Sequence, residues 1–233
     1  MDTNKRNLSK LFSAIAARYD LLNRVLSFNL DRRWRKKLVK SFSALRNKQV
    51  LDLCCGTCDI SLELAKILKH SKIYSVDFSH EMLIKAQSKI IRSKKEECII
   101  PVEADIYNLP FREGTFDIAS IAFGLRNLPD PLTALQDISF SLKEGGNLAI
   151  LEFFPPTNSF FGRIFHYYLM NLIPIIANIF GGSYKAYSYL SSSIKSFVKP
   201  EDIVKYIALS KLKIVSTDKM LGGTVCAFYC EKS

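Results

Sequence analysis

Three apolar runs in the first half of the chain each end in residues that can bind a polar ligand. The first leads into the loop 52–59 (DLCCGTCD), the second ends at Asp77, and the third ends near Asp105. If the runs are parallel strands, their carboxyl ends meet at one edge of a sheet, which is where open α/β sheets bind ligands. Such a loop exposes backbone N–H groups, and a carboxylate at the second strand end can accept both hydroxyls of a ribose. The three strand ends together predict a binding site for one nucleoside.

The loop differs from the fingerprint of dinucleotide-binding proteins. That fingerprint, G-x-G-x-x-G, brings three glycines close to a pyrophosphate, whereas Gly56 is the only glycine of this loop. An adenosine that carries an amino acid has no phosphates to hold. The loop therefore favours a ligand of that kind, and an ordinary strand-to-helix turn is the alternative when the loop is considered alone.

Alternating strand and helix patterns between residues 50 and 152 must position these groups. Stripes of apolar residues predict a helix over 59–68 and another from Ser79 onward, so the strands between them should be parallel. We expect an α/β fold with a mostly parallel sheet of about seven strands and helices on both faces. The predicted strands are 50–54, 73–77, 99–102, 116–122, 147–152, 212–215 and 224–229, with a turn at 143–146, a polar loop at 183–193 and a helix at 201–209.

The composition narrows the class of protein. A hydrophobic content of 48% excludes a disordered tail. A net charge of +11 attracts nucleic acid or acidic lipid headgroups without deciding between them. The basic cluster from Arg32 to Lys37 around Trp34 is either a solvated face or a contact with an anionic surface. Cysteines that lie mainly within apolar runs, and the lack of an apolar run after the first charged residues, indicate a reduced, cytoplasmic protein without a secretory signal.

An uncharged, aromatic stretch from residue 164 to residue 184 is long enough to span a membrane. His166, Asn171 and Pro174 interrupt it, and two glycines lie near its end. We therefore expect a helical hairpin or lid over an apolar ligand rather than a transmembrane helix.

Several segments resemble the S-adenosylmethionine-dependent C-methyltransferases of quinone biosynthesis, enzymes that methylate demethylmenaquinol and the corresponding ubiquinone precursor. The resemblance covers nearly the whole chain, and its most specific parts are FGLRN at 123–127 and the N-terminal segment 12–35. The other segments are 50–59 (VLDLCCGTCD), 76–77 (VD), 104–111 (ADIYNLPF), 115–127 (TFDIASIAFGLRN), 142–153 (LKEGGNLAILEF), 187–197 (YSYLSSSIKSF) and 223–232 (GTVCAFYCEK).

The resemblance implies a Rossmann-like methyltransferase fold in a single domain, 1–233. Its expected parts are an N-terminal helical segment at 1–45, a cofactor-binding core at 46–153, a helical lid insertion at 154–198, and a C-terminal helix with strands at 199–233.

The implied cofactor is S-adenosylmethionine. Gly56 and Thr57 would contact its methionine part, Asp77 its ribose, and Asp105 and Ile106 its adenine. In two positions the chain departs from the family: Cys58 stands where glycine is usual, and Ala122 stands where some members have a cofactor-contacting serine. One neutral hydrogen bond contributes about 0.5–1.5 kcal/mol, so we expect neither change to abolish binding.

The implied reaction transfers a methyl group to a ring carbon of a polyprenylated quinol. Demethylmenaquinol is the first expectation, and 2-methoxy-6-polyprenyl-1,4-benzoquinol is the alternative. A phenolic hydroxyl has a pKa of about 10, so a base or a cation should assist its ionisation. Arg126 could stabilise the phenolate, and Asp20 could hold Arg126 or take the proton; a structural ion pair between the N-terminal helix and the sheet is the alternative. Substrate contacts are expected from Tyr19, Asn127, Tyr168 and Tyr187.

Other classes of protein stay open at this point. Cysteines at 55, 58, 226 and 230 have a spacing that zinc sites use, although the cofactor loop and a strand also explain them. A nucleic-acid methyltransferase would suit the charge, but its Pro-Pro-aromatic and Pro-Cys motifs are missing, so no nucleic-acid partner is expected. A noncatalytic membrane-binding protein is a third class. With a quinol substrate, the stretch 164–181 could line a channel for the tail, close to anionic lipid at the inner face of the membrane. A homo-oligomer is also open.

Overall fold

The computed structural model describes residues 19–156, 160–173, 175–176 and 184–233, and in these parts seven strands form one sheet. The strands are β1 (Gln49–Leu53), β2 (Lys72–Asp77), β3 (Ile99–Glu103), β4 (Phe116–Ala122), β5 (Leu142–Phe153), β6 (Leu212–Met220) and β7 (Val225–Lys232). Their order across the sheet is β3-β2-β1-β4-β5-β7-β6.

The first five strands are parallel, and β7 lies antiparallel between β5 and β6. In the centre of the sheet, Val50 of β1 pairs with Ile73 of β2 on one side and with Ile118 of β4 on the other. The strand order reverses at β1, because the chain runs outward to β3 and then returns to β4. A crevice at the carboxyl ends of the strands is expected at such a reversal.

Eight helices are described, and they cover both faces of the sheet. They are α1 (Tyr19–Leu26), α2 (Leu30–Lys40), α3 (Asp59–Ile67), α4 (His80–Arg92), α5 (Pro131–Ser141), α6 (Phe160–Tyr167), α7 (Tyr184–Ser196) and α8 (Pro200–Leu209). A short 3₁₀ turn, Leu125–Asn127, follows β4, and a π-helical turn, Tyr168–Leu172, continues α6.

Alternate residues of β1 face two hydrophobic layers, as the two-residue period of a strand requires. Val50 packs in the layer that contains Leu38 of α2 and Leu64 of α3. Leu51 packs in the opposite layer, with Leu135 of α5 and the residues of α8. The predicted α/β fold with a mostly parallel, seven-stranded sheet is therefore confirmed.

Two local predictions differ from the structure. The segment 143–146 is not a turn before a strand but part of β5, where the pairing with β4 shifts between Phe116 and Ile118. Gly145 has φ +70° there, so the extra residues form a bulge and β5 continues. The polar loop predicted at 183–193 is wrong for the residues described, because α7 runs from Tyr184 to Ser196. Ile194 is buried and Leu190 half-buried against α1, and this packing outweighs the low helix propensity of serine.

None of the helices in the described ranges is both long and apolar enough to cross a bilayer.

Candidate functional site

A cavity of about 340 Å³ opens at the carboxyl ends of β1, β2 and β3 and is closed on one side by the 3₁₀ turn after β4. A smaller cavity of about 60 Å³ adjoins it, next to Gly56 and Gly124. The predicted residues Asp77, Asp105 and Ile106 line the larger cavity, and Asn127 lines both. The three strand ends therefore meet at one cavity, as the sequence spacing predicts.

Asp77 joins the end of β2 to the loop after β1. One carboxylate oxygen accepts a hydrogen bond from the backbone N–H of Gly56 at 2.8 Å, and the other accepts one from Ser79 at 2.9 Å. The side chain is almost wholly buried, and this burial raises the pKa of Asp77 against the opposing effect of the backbone donors. The carboxylate thus holds the loop in place at the cavity wall.

The loop after β1 has a strained backbone. Cys54 has φ +51° and Cys58 has φ +62°, both in the left-handed region that favours glycine. Position 58, where the resembling family usually has glycine, thus has a backbone conformation in which glycine would be less strained than cysteine. Gly124 meets this loop from the turn after β4, where a Cβ atom would lie 2.4 Å from the Cβ of Cys54. Only glycine allows the two loops this approach.

Thr57 faces away from the cavity wall. Its hydroxyl donates to Asp20 of α1 at 2.6 Å and accepts from the Lys89 ammonium of α4 at 2.9 Å, and the residue is buried. Lys89 also pairs with Asp20 at 2.8 Å. Asp20 therefore contacts the loop through Thr57, and an Asp20–Arg126 pair is absent from the contacts of the described residues.

Asp20 and Lys89 belong to a larger ion-pair cluster that fixes α1 and α2 against the loop. Asp59, at the start of α3, contacts Arg24, Arg35 and Lys89 within this cluster. Burial alone would raise the pKa of Asp59, but the three cations lower it to about 2. Three carboxylates and three cations balance in the set Asp20, Asp31, Asp59, Arg24, Arg35 and Lys89, which we call the N-terminal ion-pair cluster.

Arg126 pairs with Glu152 of β5 and not with Asp20, which corrects the expected pairing. Its Nη1 lies 2.7 Å from a Glu152 oxygen and 2.6 Å from the carbonyl oxygen of Phe123. Both side chains are nearly fully buried, at 7% and 0% exposure. The Nε of Arg126 has no partner among the described residues. A buried donor without a partner is rare in folded proteins, and a bound water is one usual explanation.

Asn127 meets Tyr189 next to Arg126, and Tyr168 has a different partner. The hydroxyl of Tyr189 on α7 lies 3.3 Å from Oδ1 of Asn127. Tyr168 instead donates to the carbonyl oxygen of Leu26 at 2.7 Å, so its hydroxyl serves the packing of α6 on α1. The side chains of Tyr19 and Tyr187 lie outside the described part of the structure, and their expected substrate contacts stay predictions.

Several aromatic rings pack against one another beside Arg126. The rings of Phe123 and Phe153 stack at 4.8 Å, and the guanidinium of Arg126 lies 5.9 Å from the Phe153 ring centre. Phe165 of α6 stacks on Phe153 at 6.4 Å. We call Trp34, Phe123, Phe153, Phe165 and Tyr168 the aromatic wall. Such a wall can hold a flat, apolar molecule next to a buried cation.

Three residues of the site are not predicted from the sequence, namely Glu152, Lys89 and Tyr189. Glu152 stands within an apolar strand, and a carboxylate in such a strand indicates a buried partner. Tyr189 lies in a segment that carries the family resemblance, but nothing in that segment distinguishes it from Tyr187. The contacts of Lys89 with α1 span 69 positions of the chain, so spacing could not reveal them.

The expected zinc spacing does not bring four cysteines together. The sulfurs of Cys55 and Cys58 lie 3.7 Å apart, whereas Cys226 and Cys230 are buried in β7. Within the described residues, no group of three or more potential ligands is placed to hold a metal ion.

The fold and the cavity define the class of protein. The sheet of order β3-β2-β1-β4-β5-β7-β6 carries a cavity at the ends of the first strands, and the fold is similar to that of solved methyltransferases. A SAM-dependent methyltransferase from Aquifex aeolicus superposes with a TM-score of 0.62 at 16% identity, over 85% of this chain and 89% of that one. The chain is an S-adenosylmethionine-dependent methyltransferase.

Sequence comparisons then give the family. The model of the ubiE/COQ5 methyltransferase family matches residues 1–232, and the chain belongs to this family. A demethylmenaquinone methyltransferase of Thermotoga maritima is 39% identical over 86% of each chain. A ubiquinone/menaquinone biosynthesis C-methyltransferase of Geotalea uraniireducens is 34% identical over 97% of this chain and 96% of its own.

The cofactor is S-adenosylmethionine, and the residues of the site fit it. The buried carboxylate of Asp77 at the cavity wall suits ribose hydroxyls, since a carboxylate can accept from two donors at once. The apolar side chain of Ile106 and the ring of Tyr107 give flat, apolar surface beside Asp105. The loop provides no cradle of three glycines, in agreement with a cofactor that has no phosphates.

Proposed function

We propose that this enzyme methylates a ring carbon of demethylmenaquinol, as the name of the Thermotoga maritima relative suggests. One observation carries the proposal. The FGLRN segment, the most specific part of the resemblance, forms the turn in which Asn127 lines both cavities and Arg126 lies under Phe153. Cofactor cavity, buried cation and aromatic surface thus meet within one turn of the chain.

For the cofactor, we propose that Asp77 holds the ribose and that Asp105 and Ile106 contact the adenine. Gly56 and Thr57 would hold the methionine part through the loop backbone, since the Thr57 hydroxyl is engaged by Asp20 and Lys89. When bound, the cofactor supplies an electrophilic methyl group on a sulfonium. The role of the loop is to hold the cofactor in one orientation toward the aromatic wall, and positioning of this kind supplies about 7–11 kcal/mol of a bimolecular barrier.

Arg126 would act on the substrate as a fixed donor. Glu152 and the Phe123 carbonyl hold the guanidinium in place. Nε is buried without a partner among the described residues, so an oxygen of the quinol would reach it once the side chains that cover it move. Negative charge that develops on this oxygen during methylation would be stabilised by the buried donor, whose effect is larger out of water. Asp20 suits the role of proton acceptor less, because Lys89 and Thr57 already occupy its carboxylate.

The ubiquinone precursor is the second candidate substrate. The Geotalea uraniireducens relative carries both quinones in its name and aligns with nearly the whole chain. A benzoquinol ring is smaller than a naphthoquinol ring, so it would make less contact with the aromatic wall. The two substrates can be separated by direct competition in one assay.

We propose further that the enzyme is cytoplasmic and contacts the inner face of the membrane. Phe28 is 73% exposed and lies against Tyr168, while Ile164 and Tyr167 of α6 are also exposed. Exposed basic residues follow on α2, namely Arg32, Arg33, Lys36, Lys37 and Lys40. An apolar tip beside basic side chains suits an anionic bilayer, which attracts each cation by about 1 kcal/mol.

The test of substrate is an incubation with methyl-labelled cofactor and a panel of demethylmenaquinol, the benzoquinol precursor, RNA and simple phenols. Label in demethylmenaquinol supports the proposal, and label only in RNA or simple phenols contradicts it. The test of membrane contact is flotation with anionic and neutral vesicles. Binding to anionic vesicles that Phe28→Ser weakens supports the proposal, and no binding to either kind contradicts it.

A further inference from the structure

The hydroxyl of Tyr189 on α7 contacts the 3₁₀ turn Leu125–Asn127 that follows β4. It lies 3.3 Å from Oδ1 of Asn127, and the Asn127 amide reaches the Phe123 carbonyl only at 3.5 Å. Asn127 lines both cavities, so the hydroxyl contacts one of the residues that the two cavities share. This contact brings a hydrogen-bond donor of α7 to a residue that lines the cavities.

Arg126 acts on this hydroxyl from the same turn. The positive charge of Arg126 lowers the pKa of Tyr189, but the burial of the ring raises it by more, so the net shift is upward. Tyr189 therefore stays a neutral phenol at physiological pH. A neutral phenol beside a fixed cation is a hydrogen-bond donor and a poor base.

Among the described residues, two other tyrosine hydroxyls near the site have backbone partners. Tyr168 donates to a backbone carbonyl of α1, and Tyr107 donates to the backbone of Asp130. Tyr189 differs because its partner is a side-chain amide at the cavity. An amide oxygen that accepts from Tyr189 can be exchanged for a ligand oxygen without leaving a buried backbone group unpaired.

We propose that Tyr189 is a catalytic residue that donates a hydrogen bond to the ring oxygen of the substrate in place of the Asn127 amide oxygen. This inference rests on the proposed quinol methylation. The phenol of Tyr189 would then face the oxygen whose ionisation activates the ring carbon, with the positive charge of Arg126 nearby. The proton of the ring hydroxyl leaves to solvent or a base, the methylated ring carbon then loses its own hydrogen as a proton returns to the oxygen, and Tyr189 keeps its own proton throughout.

The variant Tyr189→Phe tests the role, with Tyr229→Phe as matched control. Tyr229 is also half-buried and its hydroxyl is bonded to Asp218 at 3.1 Å, on the β6–β7 pair outside the cavity lining. We expect Tyr189→Phe to lower kcat with demethylmenaquinol about 10- to 100-fold, as the loss of one donor to a developing oxyanion does. Cofactor affinity and melting temperature should stay close to those of Tyr229→Phe.

The pH profile separates a donor from a structural contact. A donor to the substrate oxyanion favours its ionisation, so its loss should move the midpoint of the acid limb of kcat upward by about one pH unit. A lower kcat without any shift of the midpoint, or an unchanged kcat, overturns the inference. If Tyr189→Phe loses cofactor binding, Tyr189→Met replaces it, since this change also removes the hydroxyl and keeps an apolar side chain, and the same midpoint shift decides. A wild-type enzyme that methylates no quinol overturns the proposed function itself, whereas an active wild type with a normal Tyr189→Phe overturns this inference alone.

Discussion

Gly56 donates its backbone N–H to the carboxylate of Asp77 across 2.8 Å, and this bond joins the loops of two neighbouring strands at the cavity. The carboxylate that we propose to hold the ribose of the cofactor thus also shapes the loop after β1. If the proposal holds, binding and local folding depend on the same side chain, and a variant must be chosen so that the two effects can be separated.

Replacement of Asp77 should therefore affect both cofactor binding and the stability of the fold. We expect Asp77→Asn to weaken S-adenosylmethionine binding about 10- to 100-fold, since hydrogen bonds to a charged group contribute about 1.5–3 kcal/mol. The amide also places an N–H₂ against a backbone donor, so some stability is lost. Calorimetric titration measures the affinity, and Asp137→Asn on α5 serves as the control outside the cavity lining. Unchanged affinity in Asp77→Asn would remove the nucleoside assignment.

Replacement of Arg126 should lower both stability and turnover. Arg126→Ala leaves Glu152 buried without its cation, which costs about 3–5 kcal/mol of unfolding free energy. The double variant Arg126→Met with Glu152→Gln removes both charges and should recover most of this stability in urea unfolding. Its turnover should stay low, because the buried donor is still missing. Normal turnover of the double variant would leave the ion pair with a structural role alone.

Asp52 should make stability depend on pH between about 4 and 6. Burial raises the pKa of Asp52 to about 6, although Ser61 and Ser120 donate to its carboxylate. The folded state therefore holds the proton more tightly than the unfolded state. The stability that the protonated Asp52 contributes is fully present below the pKa that Asp52 has in the unfolded state. It is lost as pH rises through 6, and the free energy of unfolding falls by about 3 kcal/mol for two pKa units. Urea unfolding as a function of pH should show this slope in wild type and lose it in Asp52→Asn.

Asp117 gives the opposite sign and serves as the control for the Asp52 experiment. Its pKa is lowered, because the Gln49 backbone and Lys143 outweigh the effect of burial. The stability that it contributes is present above the unfolded pKa and lost as pH falls. Asp117→Asn should therefore differ from wild type at neutral pH and converge with it in acid. The same slope in wild type and Asp52→Asn between pH 4 and 6 would contradict the assignment.

The left-handed backbone at Cys58 predicts an unusual order of stability. Among variants that lack the thiol, Cys58→Gly should be about 1 kcal/mol more stable than Cys58→Ala, because alanine is strained at φ +62°. Thermal unfolding compares the two. Cys98 is outside the positive-φ positions of the described chain, so its glycine variant should be no more stable than its alanine variant. Equal stability of both Cys58 variants would indicate that the loop relaxes.

The sequence predicts the sheet and the cavity well because both depend on short-range patterns. Apolar runs locate all seven strands, and the ends of three of them place Asp77, Asp105 and Ile106 at one cavity. The pairing of Arg126 with Glu152 depends on how β4 and β5 align, which periodicity does not contain. The sequence fails to predict the helix α7 for a similar reason. Its serines favour a loop locally, whereas contacts with residues distant in the chain stabilise the helix.

Serine occupies five of the thirteen positions in α7, and the hydroxyls of Ser192, Ser193 and Ser196 bond back to carbonyl oxygens of their own helix. The helical structure of such a segment depends on packing against neighbouring elements. Its amide hydrogens should therefore exchange with deuterium well before those of β1 or β4. A local opening of α7 would let a long-tailed molecule enter or leave while the strands around the proposed nucleoside site stay paired.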